Sequence, residues 1–129
     1  MPNADADAGA PILLSKARND VVLLRKIADD PEVADEIVGF HAQQAVEKAI
    51  KAVLEARRVD YPRTHDLARL LELLDASGGA PPDRDEALAL SPWAAEFRYG
   101  DVIAGSLDRH RALVAADSAL TWADSQIAA

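Results

Sequence analysis

The fold is decided by residues 40–54, which read FHAQQAVEKAIKAVL. The stretch has no Gly or Pro and is rich in Ala, Leu, Glu, Lys and Gln, which are strong helix formers. At about 100° per residue, its small and branched apolar side chains gather on one side of the predicted helix, and Gln44, Glu47 and Lys48 gather on the other. Phe40 projects from the polar side. We therefore expect this helix to bury two faces, with Phe40 covered by a second helix or by a second chain.

Length and composition favour a single helical domain. The 129 residues are enough for a hydrophobic core without disulfides or metal. Half of them are apolar but only 5% are aromatic, and Ala and Leu carry most of the apolar mass. This mixture favours close-packed helices over a sheet, whose strands need more β-branched and aromatic residues. The absence of cysteine excludes disulfides, thiolate metal sites and a cysteine nucleophile.

The formal net charge of −8 bears on partners and location. Nucleic-acid binding draws most of its affinity from Lys and Arg side chains that contact phosphates. The negative net charge therefore argues against binding of RNA or DNA by this domain alone. An acidic surface fits a protein that binds a partner. No apolar run of about 18 residues predicts a membrane span, and the first residues carry aspartates and no basic residue, unlike a signal peptide. We expect a cytoplasmic protein without membrane contact.

Breaker residues divide the chain into helices. Residues 1–11 are small and acidic and predict a disordered tail, which precedes one domain over residues 12–129. Pro31 separates the first two helices, Thr64 is the expected N-cap of the third, and the loop at 76–83 ends it. The predicted helices cover about 15–29, 32–58, 64–75, 85–90 and 103–127. Because no strand candidate occurs, the sequence predicts an all-α, antiparallel up-and-down bundle of four to five helices.

The histidines are His41, His65 and His110. No two of them have the i, i+4 spacing of a helical metal site, so we expect no metal and no other cofactor. For His41 we expect a structural role. The segment Thr64-His65-Asp66 is explained as a helix start, with Thr64 as the cap and Asp66 near the positive end of the helix dipole. The functional alternative uses His65, beside Arg63, as a phosphate or partner contact.

The most site-like segment is residues 98–101, RYGD. The planar guanidinium group of Arg98 can bind an anionic group, and Tyr99 can provide a stacking surface, with Asp101 beside them in sequence. The alternative is a surface pair between Arg98 and Asp101, with Tyr99 in the core. Other arginines form a basic patch only if the fold brings them together: Arg57, Arg58, Arg63, Arg84, Arg109 and Arg111. The sequence has no Gly-rich phosphate loop and no nucleophile elbow.

Two motifs carry a family resemblance. The run Gln43-Gln44-Ala45-Val46-Glu47-Lys48, followed by Thr64-His65-Asp66-Leu67, resembles the HEPN domain family, and so does Phe97-Arg98-Tyr99-Gly100-Asp101 before the last helix. The resemblance covers about Leu14 to Ala123. It implies a four- to five-helix bundle that commonly dimerises and often accompanies a minimal nucleotidyltransferase. The candidate interface consists of Phe40, Gln43, Gln44 and Glu47.

The resemblance also bears on ribonuclease activity. Many members of the family are metal-independent ribonucleases that use an Arg followed four to six residues later by a His, brought together across a dimer. Arg98 matches the Arg by position. Residues 102–105, however, are VIAG, and the next histidine is His110, twelve residues beyond Arg98. General acid–base cleavage of RNA needs a group that titrates near neutral pH, and neither Tyr99 nor Asp101 does so when unperturbed.

These observations leave three hypotheses open. The first is a dimeric interaction module that pairs with a minimal nucleotidyltransferase, or binds nucleotide or RNA without cutting it. The second is a ribonuclease toxin of a toxin–antitoxin pair, in which Arg98 works with a displaced His110 or His65. The third is a helical subunit of a larger complex. The candidate ligand-binding residues are Arg63, His65, Arg98, Tyr99 and Asp101, and the catalytic candidates are Arg98 and His110.

Overall fold

The computed structural model describes residues 4–94 and 107–128. Its helices are α1 (Ala4–Ile27), α2 (Asp35–Ala56), α3 (Leu67–Ser77), α4 (Arg84–Leu88) and α5 (Arg109–Ala128), and a single 3₁₀ turn, Ser91–Trp93, follows α4. The described ranges contain no strand, and the predicted all-α fold is confirmed. None of the helices in these ranges is long and apolar enough to cross a membrane.

Helix α2 is the centre of the bundle. It packs against α1, α5, α3 and the 3₁₀ turn, and twelve of its residues are buried. These buried residues are Val38, Gly39, Ala42, Gln43, Ala45, Val46, Glu47, Ala49, Ile50, Ala52, Val53 and Leu54. They include the predicted apolar stripe and also residues of the predicted polar side, so the expectation that this helix buries two faces is confirmed.

Helix directions follow from contacts between the elements. Arg18 pairs with Asp124 at 2.9 Å and Arg25 pairs with Asp117 at 2.7 Å, so α1 and α5 run antiparallel. Asp20 in the middle of α1 contacts Lys48 of α2, while the space beside Gly9 is occupied by the carboxylate of Glu55. Helix α1 is therefore antiparallel to α2 as well, and α2 and α5 run parallel. This arrangement is consistent with an up-and-down bundle.

The helix boundaries differ from the predicted ones where local signals compete. Helix α1 begins at Ala4, well before the predicted start near Ser15, and includes Pro11. The division into a tail over residues 1–11 and a domain over residues 12–129 stays a prediction. Helix α2 begins at Asp35 because Ala34 has an extended backbone and forms its N-cap. Helix α5 begins at Arg109, since residues 107–108 are not helical, and residues 103–106 lie outside the described ranges.

The third helix has a different cap from the predicted one. The side chain of Asp66, and not that of Thr64, accepts hydrogen bonds from the backbone N–H groups of Ala68 and Arg69. Thr64 Oγ instead accepts a hydrogen bond from the Asp66 N–H at 3.0 Å. Both residue types can cap a helix, and here the hydroxyl supports the residue that does so. The predicted leucine stripe of α3 is buried: Leu67, Leu70, Leu71 and Leu74.

Two contacts hold the start of α2. A Cβ on Gly39 would lie 2.5 Å from the Trp93 ring, so only glycine lets the buried indole pack this closely on the helix. On another side, Arg109 donates to the carbonyl groups that follow α1 and pairs with Asp35 at 2.8 Å. Its carbonyl acceptors belong to Ala28, Asp30 and Val33. The guanidinium thus joins the starts of α2 and α5 to the end of α1.

Candidate functional site

A buried carboxylate lies at the centre of the first polar cluster, which we call the Glu47 cluster and which comprises Gln43, Glu47, Lys51 and His65. Glu47 is 4% exposed. Its Oε1 accepts hydrogen bonds from Gln43 Nε2 at 2.9 Å and from His65 Nδ1 at 2.8 Å, and its Oε2 accepts one from Lys51 Nζ at 2.9 Å. Gln43, Glu47 and Lys51 follow one another at i, i+4 spacing, which places them on one face of α2.

The charge state of Glu47 determines the tautomer of His65. Burial raises the pKa of this carboxyl, but the hydrogen bonds from Gln43, Lys51 and His65 outweigh burial and hold the pKa below its usual value. Glu47 is therefore ionised at neutral pH and can only accept hydrogen bonds. The proton in this contact consequently sits on His65 Nδ1, which leaves Nε2 on the far side of the ring for another partner.

The loop that carries His65 is held at further points. Gln43 Nε2 makes a long contact of 3.5 Å with the His65 carbonyl oxygen. Lys51 Nζ lies 5.7 Å from the centre of the Tyr61 ring, and the Tyr61 hydroxyl donates to Glu55 at 2.8 Å. Burial and the neighbouring Glu55 raise the pKa of Tyr61, so its hydroxyl stays protonated and remains a donor. The His65 side chain itself is 47% exposed.

A second cluster repeats this chemistry between two helices. We call it the Asp20 cluster, and it comprises Asp20, His41 and Lys48. Asp20 of α1 is buried and contacts His41 Nδ1 at 2.9 Å and Lys48 Nζ at 2.7 Å, both on α2. The expectation of a structural role for His41 agrees with this position. Asp20 was not predicted, because its partners lie 21 and 28 residues away in sequence.

The candidate interface residues occupy different environments. Phe40 is half-buried in its own chain, and its ring stands edge-on to the His41 ring at 5.2 Å between centroids. Gln44 is also half-buried and donates from Nε2 to Gln43 Oε1 at 2.8 Å. Gln43 and Glu47 are buried against their own loop. An interface role for these four residues stays a prediction.

The candidate ligand-binding residues are only partly described. Arg98, Tyr99 and Asp101 lie outside the described ranges. Arg63 is exposed, and in the described part of the chain it makes no hydrogen bond or ion pair.

The two candidate histidines do not come together. His110 is exposed and follows Arg109, which binds Asp35 at the start of α2. His65 contacts Glu47, about 18 Å further along the helix axis at 1.5 Å per residue. A single site in one chain therefore cannot use both side chains directly.

Three of the six arginines considered for a basic patch contact other parts of the fold. Arg57 donates to the carbonyl oxygens of Leu74 and Gly79 at the end of α3, and its guanidinium lies 5.9 Å from the Trp122 ring centre. Arg84 pairs with Asp75 in an ion pair, and Arg109 joins α1, α2 and α5. Their charges are thereby neutralised or directed into the bundle. Within the described ranges, no group of three or more histidine, aspartate or glutamate side chains is arranged to hold a metal ion.

The comparisons with known proteins give one match. A family model described as HEPN domain matches residues 11–126, which is most of the chain and includes both clusters. No curated protein and no solved structure matches the chain.

Proposed function

Because the chain belongs to the HEPN domain family, we propose that it is a dimeric interaction module that pairs with a minimal nucleotidyltransferase, or binds nucleotide or RNA without cutting it. The observation that supports the dimer is the exposure of a large apolar side chain, Ile37, on the central helix. We call the surface around it the Ile37 face and define it by Ile37, Phe40, Gln44 and Lys48. These residues recur at i+3, i+4 and i+4, which is the spacing of one helical face.

The Ile37 face has a property of contact surfaces. Ile37 is 49% exposed, and the other three residues are half-buried within the described chain. Apolar side chains grouped on an exposed face mark interaction sites more often than scattered ones do. In a twofold dimer the same face meets itself, which would cover Ile37.

The contacts of the histidines support a protein that does not cleave RNA. His41 and His65 each use Nδ1 on a buried carboxylate, and residues 102–105 supply no histidine after Arg98. A metal-independent ribonuclease of this family type needs an arginine and a histidine at one scissile phosphate. The described chain brings no free arginine to either of these two imidazoles except Arg63, which neighbours His65 in sequence.

The dimer is tested by measuring mass in solution. Wild type should sediment as a dimer, and Ile37→Glu should sediment as a monomer with unchanged helical circular dichroism, because it replaces the exposed apolar side chain of the face with a charge. Val114→Glu is the matched control, since Val114 is 47% exposed on α5 and outside the face. A monomeric wild type would overturn the dimer. Co-purification with a small nucleotidyltransferase encoded beside this chain tests the partner.

A ribonuclease toxin is the second candidate, and one observation favours it. His110 is exposed and makes no hydrogen bond or ion pair with the described residues, so its imidazole is available to a substrate. RNA cleavage by wild type should then disappear in both Arg98→Ala and His110→Ala, with His41→Ala as the control. Cleavage with that dependence would replace the proposal of a non-cutting module. Intact RNA after incubation with folded wild type supports the module.

A further inference from the structure

Helix α1 carries a cationic surface on an acidic chain. Residues 8–28 contain four basic residues and one acidic residue, whereas the whole chain has 14 basic and 22 acidic residues. The one acid of this stretch, Asp20, is buried and binds His41 and Lys48 of α2. The solvent-facing side of α1 over these residues therefore presents no carboxylate of its own.

Two of the four cations are available to another molecule. The two arginines of this stretch form ion pairs with aspartates of α5. Lys16 and Lys26 are exposed and make no hydrogen bond or ion pair with the described residues. Their ammonium groups can therefore pair with carboxylates of a partner.

Each of these lysines follows an exposed apolar side chain by four residues. Ile12 is 56% exposed and Val22 is 43% exposed, and they are two of the four large apolar side chains that the described chain exposes. At about 100° per residue, Ile12, Lys16, Val22 and Lys26 lie within about 120° of one another around α1. The second pair repeats the first about 15 Å further along the helix axis. We call this surface the α1 outer face and define it by these four residues.

The shape of the α1 outer face fits a helix of another protein. Between the two pairs, the exposed side chains on this side are Ser15 and Asn19, which are short and let another backbone approach. A helix that packs here covers both apolar side chains with its own apolar stripe. To pair with both lysines, it needs carboxylates about 15 Å apart along its axis.

Charge favours a protein partner over a nucleic acid or a membrane. Because residues 8–28 carry a positive excess, the rest of the chain has a negative excess larger than the net charge of −8. That excess repels a long polyanion or an anionic bilayer that approaches α1. Residues 8–28 also contain no aromatic side chain of the kind that anchors helices in a bilayer surface. A single acidic helix brings only a few charges and can bury Ile12 and Val22.

We propose that the α1 outer face binds an acidic amphipathic helix of a partner protein. Lys16 and Lys26 pair with its carboxylates, and Ile12 and Val22 pack against its apolar side chains. This inference rests on the interaction-module part of the proposed function. It places the partner on a different helix from the Ile37 face, so it does not require the dimer.

Synthetic helical peptides test this chemistry on the full chain. Three peptides share one amphipathic sequence with leucines on one side, and they differ only in carrying glutamate, glutamine or lysine at two flanking positions. The glutamate peptide should bind saturably, and Lys16→Glu and Lys26→Glu should each weaken its binding about threefold to tenfold, because each replaces an attraction with a repulsion. Ile12→Ser should weaken the glutamate and glutamine peptides by the same factor, since it removes an apolar contact.

Arg63→Glu is the matched control. It makes the same change in net charge on an exposed side chain outside α1, and it should change binding of the glutamate peptide less than about twofold, since distant exposed charges are screened by salt.

Each outcome decides the proposal. Equal binding of the three peptides, no binding by folded wild type, or equal effects of Arg63→Glu and Lys16→Glu overturn the docking site. It is also overturned if wild type ignores the glutamate peptide but binds single-stranded RNA, or vesicles of equal parts phosphatidylcholine and phosphatidylserine, through Lys16 and Lys26.

Sedimentation of the same samples keeps the dimer separate. A dimer that does not bind the glutamate peptide defeats this inference alone, and a monomer that binds it through α1 defeats the dimer alone. Circular dichroism confirms that each variant is folded.

Discussion

The two carboxylate–histidine clusters on α2 use the same chemistry in different places. Each has a buried carboxylate that receives a histidine Nδ1 and a lysine of α2. In the Asp20 cluster, every member belongs to a helix, and the His41 side chain is 27% exposed. In the Glu47 cluster, the histidine comes from a loop and is about half exposed. The first arrangement joins α1 to α2, and the second orients an imidazole at the surface.

This comparison shows that a buried acid can either pair two packed helices or orient a side chain at the surface. Asp20 pairs two helices that already pack over a long apolar contact, so its ionic contacts add to a formed interface. In contrast, residues 57–66 link α2 to α3 without regular structure. Within this loop, His65 is held by hydrogen bonds to Glu47 and Gln43 of α2. We therefore expect changes in the Glu47 cluster to affect both stability and the order of this loop.

The largest expected effect is that of removing either carboxylate. Glu47→Ala leaves Lys51, Gln43 and His65 without their common acceptor and should lower the free energy of unfolding by roughly 3 kcal/mol. Asp20→Ala should cost about 1–2 kcal/mol, because His41 and Lys48 can turn towards water. Urea denaturation followed by circular dichroism measures both. An equal or larger cost for Asp20→Ala would contradict the distinction between the clusters.

The lysines should show a smaller difference in the same direction. Lys51→Met removes the cation that offsets the most buried carboxylate and should cost roughly 1–2 kcal/mol. Lys48→Met should cost about 1 kcal/mol or less, since its side chain is more exposed than that of Lys51. The two substitutions are chemically identical and three residues apart on one helix, so each serves as the control for the other in thermal or urea unfolding.

Acid should affect the Glu47 cluster in a defined pH window. The folded-state pKa of Glu47 lies below its ordinary value of 4.5, so its contribution is fully present above that pH. The contribution is lost as pH falls from about 4.5 through the lowered pKa of Glu47. Glu47→Gln should therefore lose less stability than wild type between pH 5 and pH 3. Parallel urea titrations across this range would contradict the account if both proteins lost the same amount.

The smallest stability effects are expected for the histidines. His41→Asn and His65→Asn each remove one hydrogen bond to a carboxylate and should cost about 1 kcal/mol or less. Their effects on the loop before α3 should differ, because His41 joins two helices and His65 holds this loop to α2. Amide hydrogen exchange in residues 57–66 should be faster in His65→Asn than in wild type and unchanged in His41→Asn. Equal exchange of this loop in the two variants would contradict the distinction between the clusters.

The sequence predicted the helices better than the polar clusters, for physical reasons. Periodicity along α2 identifies the apolar stripe from Val38 to Val53, because the spacing of residues in the sequence determines which face of a helix each side chain occupies. Glu47 was assigned to the polar side, yet it is buried, because a loop beyond α2 folds back over it. Asp20 gives no local signal, since only the packing of α1 on α2 creates its contacts.

The cap of α3 shows the same limit at short range. Thr64 and Asp66 are both of residue types that cap helices, and the sequence does not distinguish which of these two candidates, two residues apart, accepts from the helix N–H groups. The backbone decides it: Asp66 has an extended conformation and its carboxylate reaches the first free N–H groups. Over a longer range, the structure brings together the two halves of the family motif, because Gln43 and Glu47 of the first half contact His65 of the second.

The most direct test of the account follows the imidazoles of His41, His65 and His110 in one sample by ¹⁵N NMR. Neutral His65 and His41 should both show the tautomer protonated at Nδ1, as their carboxylate partners require. In Glu47→Gln the His65 signals should change, while the His41 signals stay constant. A neutral His65 protonated at Nε2 in wild type would contradict the claim that Glu47 orients its imidazole.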